Sequence, residues 1–241
     1  MKKQKKEEFL PVPTPTEQQF SSLNQAYQYF NRELFGGQLP GCILNFSRKR
    51  NAHGFMAAGR WRKIGEQQHT THEIALTHIT LHREPKLVFS TLVHEQVHLW
   101  QVEFGSPSRS GYHNQEWAEK MEEIGLMPSE NGEPGGKKTG QHMTHYIISG
   151  GRYELAFDKI PPDFLLPFTS LEGDVMNSLL TGAPLPAGVE LTAGKKGKGT
   201  TLPSTARNKT KYNCSGCKSN VWGKPSMNLI CGNCNATFVP V

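Results

Sequence analysis

The chain has 241 residues, 36% of them hydrophobic and 20% charged, with a formal net charge of +6 and ten histidines. That length suits one core domain with a sizeable interior plus a small module. The charged start, Met1 to Glu8, does not read as a signal peptide and no apolar run approaches a bilayer span; with cysteines spaced as metal ligands rather than as bridges, the cytoplasm is expected, on the nucleoid if bacterial.

Thr14-Pro15-Thr16-Glu17 reads as a capping box with proline at the first helical position. Residues 1–16 are expected to be a flexible N-terminal segment. Phe20, Leu23, Tyr27, Phe30 and Leu34 then mark one face of a helix of about five turns, and Gly36-Gly37 stops it. From Cys42 to His82 the texture changes. Cys42 to Phe46, Gly54 to Trp61 and His72 to Leu81 alternate or run apolar as strands do, with turns at Lys49-Arg50-Asn51 and Gly65 to Gln68. The sequence does not say which strand lies at the edge. Lone Cys42 reads as a small buried hydrophobe.

The stretch Ser90 to Val102 holds His94-Glu95-Gln96-Val97-His98. Residues four apart on a helix share a face, so His94 and His98 present two imidazoles to one metal ion. Glu95, rotated by about 100°, stays out of the ligand set and beside a metal-bound water. That is the arrangement by which a zincin acidifies water and takes its proton. Phe89, Leu92, Val93, Val97 and Trp100 form an apolar stripe, with Val88, Leu99 and Val102 on the remaining surface. A helix apolar nearly all round is buried, and buried imidazoles need partners.

A catalytic zinc wants a third protein ligand. The helix should end near Gly105, and the glycine- and serine-rich loop to Gly111 leads to Tyr112-His113. Trp117, Met121 and Ile124 recur at helical spacing, so His113 stands at the start of a second helix that packs on the first. It is the expected third ligand, with His53, His72, His78, His82, His142 and His145 as competitors. Met127 to Gln141 reads as a glycine-rich, charged loop over the cleft, and Met143 to Ile148 as a strand. On a strand, His142 and His145 point to opposite faces. Tyr112 and Tyr146 are candidate donors to a developing oxyanion. Gly151 to Ile160 suits helix or strand, and Ser170 to Leu180 a short amphipathic helix ending at Gly182.

Asn31-Arg-Glu-Leu-Phe-Gly-Gly-Gln-Leu-Pro, then the His94–His98 motif, then His113 followed by Trp117, resemble the SprT-like metalloprotease family, which includes Spartan. Thr139 to Gly151 is similar to its bacterial and phage or plasmid-borne members. The resemblance covers roughly residues 17–160 and extends to the terminal cysteines. It implies zinc ligation by His94, His98 and His113 and a general base at Glu95. Members of the Spartan kind cleave proteins on DNA, including crosslinked ones, which implies DNA-bound protein substrates. The expected fold class is α+β, a zincin-like metalloprotease domain over 17–186 with helices packed on a small, mainly antiparallel sheet.

Residues 187–213 read as a basic flexible linker, with Lys195, Lys196, Lys198, Arg207, Lys209 and Lys211 as candidate nucleic-acid contacts. From residue 187 onward the chain holds eight of its 27 basic residues and one of its 21 acidic ones, so the positive charge lives in the tail. Beside a zinc module, that balance points to DNA. The module is Cys214-x-x-Cys217 and Cys231-x-x-Cys234 over 214–241, two knuckles closing one tetrahedral structural zinc. Two zinc ions, one catalytic and one structural, are therefore expected, in a monomer. Val221 to Pro225 and Met227 to Ile230 are expected to form the ribbon's hairpin, with Trp222 either packed on it or stacking on a base. The competing reading is a nucleic-acid- or polymerase-binding factor, or a mobile-element accessory protein, whose histidine-bound zinc is structural. A closed fourth metal position would favour it.

Overall fold

The computed structural model describes residues 12–49, 51–66, 69–189 and 210–241. The chain divides into two compact units, residues 1–190 and 191–241. The class is α+β, as expected.

In the first unit, helix α1 (Pro15–Phe35) begins at the capping box: the Thr14 side chain accepts from the Glu17 amide while the Glu17 carboxylate accepts from the Thr14 amide. It ends at Gly36, whose φ of 64° is a left-handed cap that a side chain would strain. Leu23, Tyr27, Phe30 and Leu34 are buried, and Phe20, at the rim, meets Phe46 edge-on at 5.3 Å. Just past the cap, Asn31 holds the turning chain: its side chain donates to the Leu39 carbonyl at 3.0 Å and accepts from the Leu39 amide at 3.1 Å. This is the physical content of the Asn31 to Pro40 stretch.

Strands β1 (Ile43–Ser47), β2 (Gly54–Arg62) and β3 (Thr70–Thr77) form a sheet in the order β1-β3-β2. β2 pairs with β3 antiparallel, whereas β1 pairs with it parallel. The central strand stops at Thr77, short of the expected Leu81, because hydroxyls and backbone close a 3-10 turn over His78–Thr80: Thr77 bonds the Ala52 carbonyl and Thr80 the Thr77 carbonyl.

Helix α2 (Pro85–Phe104) lies across this sheet and against α1. Leu92, Val93, Val97 and Leu99 are fully buried, and so is Gln96, whose amide donates to the Tyr27 carbonyl at 3.0 Å. Helix α3 (Gln115–Glu123) packs back on α2 with Trp117 and Met121 inward. Strands β4 (Leu126–Ser129) and β5 (Thr144–Ile147) pair antiparallel, so the segment expected to be loop from Met127 starts as a strand. Helices α4 (Arg152–Phe157) and α5 (Leu171–Thr181) follow, and α5 ends at a left-handed Gly182.

The second unit is a three-stranded antiparallel sheet in the order β7-β6-β8, with β6 Thr210–Cys214, β7 Asn220–Gly223 and β8 Phe238–Pro240. Its hairpin joins β6 to β7 around the first knuckle. Met227 to Ile230, expected as a hairpin strand, contributes one bridge, Ile230 to Thr237. The sheet starts four residues before Cys214, because Tyr212 is the apolar residue that such a small interior needs.

Replacing Asn31 by Ala orphans a buried amide and carbonyl at about 1–3 kcal/mol each. The expected outcome is a loss of about 3 kcal/mol in urea unfolding of the first unit, with ribbon zinc affinity unchanged.

Candidate metal centre

The site is built where three constraints meet. Helical periodicity puts His94 and His98 on one face of α2, with ring centroids 5.1 Å apart. A polar clamp then fixes α3 against the end of α2: buried Gln101 donates to Asn114 Oδ1 at 2.7 Å and to Glu116 Oε2 at 2.6 Å. Asn114 is also the N-cap of α3, accepting from the Trp117 amide. One residue earlier stands His113, held by a two-way backbone bridge to Gly140 at 2.8 and 3.0 Å.

Trp117 is the floor. Its ring centroid lies 5.1 Å from that of His94, 5.4 Å from that of His98 and 4.3 Å from that of His113, stacked on His98 and edge-on to the others. His113 Nδ1 lies 3.1 Å from the Gly140 carbonyl, which can only accept, so Nδ1 carries the proton and Nε2 is bare. That Nε2 stands 3.1 Å from His98 Nε2. The ligand atoms of His94, His98 and His113 all lie within 4.8 Å of one another. Bonds of the length zinc makes to imidazole would set tetrahedral nitrogens about 3.3 Å apart, so the donor set fits zinc. Burial pushes all three imidazoles toward the neutral, metal-binding form, His98 down to about 3.

Glu95 is buried beside this trio. Its carboxyl is pushed up to about 8 by burial, with Lys49 and the Met56 backbone acting against the shift. Gly54, at the start of edge strand β2, makes room for it. A Cβ there would fall 3.0 Å from the Ala75 carbonyl and from Thr91 Cγ2, and 3.1 Å from Glu95 Oε1.

The competing histidines have other partners. His72 pairs with Glu103 at 3.0 Å, His78 with Glu172 at 3.3 Å, His82 bonds the Ile79 carbonyl, and His53 meets Arg83 at 3.1 Å. His142 is exposed. His145 does reach the centre, but its contact is with His94, Nδ1 to Nδ1 at 3.1 Å, and it lies outside the clustered ligand set. Tyr146 points to the opposite face of β5 from His145, and Tyr112 has Arg109 over its ring. Sequence reasoning missed the Gly140 carbonyl, because a backbone bridge across 27 residues leaves no periodic trace.

In the second unit, Sγ atoms of Cys214 and Cys234 lie 3.4 Å apart and those of Cys217 and Cys231 3.6 Å. Disulfides would need about 2.05 Å, whereas sulfurs around a tetrahedral zinc lie about 3.8 Å apart. All four are within 4.8 Å of one another, compatible with a zinc ribbon. Hydrogen bonds from Ser219 pull the Cys217 thiol down to about 6, toward the thiolate a metal binds. Lys195, Lys196, Lys198, Arg207 and Lys209 lie outside the described residues. Lys211 lies in β6 directly opposite Trp222, which is 63% exposed and so does not pack on the hairpin.

The sequence model of the SprT-like family matches residues 23–140. A protein described as an uncharacterized protein in the mucB 3' region of Salmonella typhimurium is 33% identical over 66 residues, 27% of this chain and 86% of that protein. The chain belongs to the SprT-like family. No solved structure matches it. The matched span of this SprT-like chain includes His94, Glu95, His98, His113 and Gly140 and stops before His145. Its first unit is thus metalloprotease-like, with groups placed to hold a metal. Among the described residues no helix is long and apolar enough to cross a membrane.

Stability of the metal-free protein should carry two opposed pH dependences. His98 and His145 titrate near 3 when folded, below the ordinary 6.5, so they stabilise above 6.5 and that stability drains away as pH falls toward 3. Glu95 is raised from 4.5 to about 8, so its contribution is complete below 4.5 and is lost as pH rises through 8. Urea midpoints of chelator-treated protein should fall steeply on the acid side and more gently on the alkaline side. The Glu95→Gln variant should lose only the alkaline arm.

Proposed function

We propose that this protein is a zinc-dependent metalloprotease that hydrolyses peptide bonds of DNA-associated proteins, crosslinked ones included. The observation that carries the reading is the convergence of three imidazoles beside a buried carboxyl group, His94, His98 and His113 with Glu95. A zinc ion held there would supply Lewis acidity to a water and to the scissile carbonyl. Glu95 accepts the water's proton and returns it to the leaving amine.

Strand β2 supports the choice of a polypeptide substrate. It is one of the two edge strands of the sheet, it pairs only with β3 among the described residues, and, unlike β1, it brings a residue, Gly54, against Glu95. An extended backbone added along that edge is recognised by main-chain hydrogen bonds, which tolerate many sequences. Selection then comes from recruitment: the basic tail and the ribbon hold the protease on DNA and raise the effective concentration of proteins bound nearby. Lys211 and exposed Trp222, neighbours on one face of the ribbon sheet, suit a phosphate contact and a base stack.

The alternative, a binding factor with a structural histidine-bound zinc, calls for a fourth protein ligand. Among the described residues, the histidine cluster has three members.

Two outcomes are expected. Glu95→Gln should keep both zinc ions and lose at least about a hundredfold in cleavage of a DNA-bound basic protein; cleavage at the wild-type rate would remove Glu95 from the mechanism. Deleting residues 187–241 should weaken DNA affinity and flatten its salt dependence by several phosphate contacts, while zinc stays at the histidines. Undiminished affinity would place the DNA contact in the first unit.

A further inference from the structure

His145 is a half-buried nucleophilic and titratable group that the proposed chemistry leaves unused, and its hydrogen bonds have only one self-consistent direction. The Ser90 hydroxyl donates to the Leu87 carbonyl at 3.0 Å, a group that can only accept. The Ser90 oxygen is then an acceptor, and His145 Nε2, 2.9 Å away, is the N–H that donates to it. A neutral imidazole protonated at Nε2 has a lone pair at Nδ1. That lone pair faces His94 Nδ1 at 3.1 Å, so His94 carries its proton on Nδ1 and donates it to His145. His94 Nε2 is left bare. Run in reverse, the chain would put the proton on His94 Nε2 and close that nitrogen to a metal.

We propose that His145 is a positioning residue that, backed by Ser90, fixes the tautomer and ring orientation of His94. It plays the part usually taken by a carboxylate or a carbonyl behind a metal-bound histidine, the part that the Gly140 carbonyl plays behind His113. Both nitrogens of His145 are engaged, one with Ser90 and one with His94, so it does not join the ligand set. Ser90 and His94 lie one turn apart on α2, and β5, through its pairing with β4, brings His145 in from across the chain. The proposal rests on reading the three histidines as a zinc site.

The test is zinc affinity of the full chain, by competition with a chromophoric chelator, with the cysteine site of each variant as internal reference. His145→Leu keeps an apolar side chain in place but removes the acceptor; it should weaken the histidine site about 10–100-fold and leave the ribbon site unchanged. His145→Asn presents an oxygen acceptor near the position of Nδ1 and should recover most of that loss. Ser90→Ala, a minor change on a stable helix, should weaken the site in the same direction, and it carries the test if His145→Leu fails to fold. Wild-type affinity in His145→Leu or in Ser90→Ala would overturn the proposal. So would equal losses in His145→Leu and His145→Asn, which would reduce His145 to packing. If wild type binds zinc only at the cysteines, the reading of the histidine site falls and this proposal with it; if wild type binds two and the variants behave like it, only the proposal falls.

Discussion

Everything in the first unit depends on keeping three largely buried imidazoles neutral and close together. Burial does the first, since a charged imidazole in that setting would be desolvated without a partner. Backbone geometry does the second. His94 and His98 are bound to one face of α2 by helical periodicity, and His113 is delivered by the Gln101–Asn114 clamp and the bridge to Gly140. Three neutral imidazoles with ligand atoms within 4.8 Å of one another form a donor set that fits a metal ion.

The same logic sets the character of Glu95. It lies on the same buried helix, yet it faces β2 rather than the histidines' floor, and its carboxyl group meets a strand whose glycine leaves space for it. Burial raises its proton affinity into the neutral range. The proposed general base and the edge strand proposed to take the substrate backbone are therefore neighbours. The second unit solves a different problem by a related route. Among the described residues of this unit, the buried cluster is Tyr212, Cys214, Cys231 and Phe238, too little for a hydrophobic core, and the four sulfurs are arranged to let a metal supply the remainder.

Much of this was legible in the sequence because it is local. The capping box at Thr14, the stop at Gly36, the pair of histidines one turn apart and the helix announced by Trp117 and Met121 are all patterns within a few residues. His113 was legible for the same reason, as the residue just before a capped helix. What the sequence did not disclose depends on contacts between distant segments. The end of β3 at Thr77 is decided by hydroxyls bonding to Ala52 and to a neighbouring turn. Met127 becomes a strand only because Tyr146 pairs with it. The ribbon's hairpin uses Lys211 and Trp222 rather than Met227 to Ile230, since apolar content alone does not choose a partner. His142 lies in a bend before β5, so the opposite-face rule does not apply to it, and nothing local indicated that His145 on β5 would meet His94.

The most direct test of the central claim is anomalous diffraction at the zinc edge from crystals of the full chain grown with zinc. Two peaks are expected, one among four cysteine sulfurs and one bounded by nitrogens of His94, His98 and His113 with a solvent atom completing the set. A single peak at the cysteines, or a protein side chain closing the fourth position at the histidines, would contradict it.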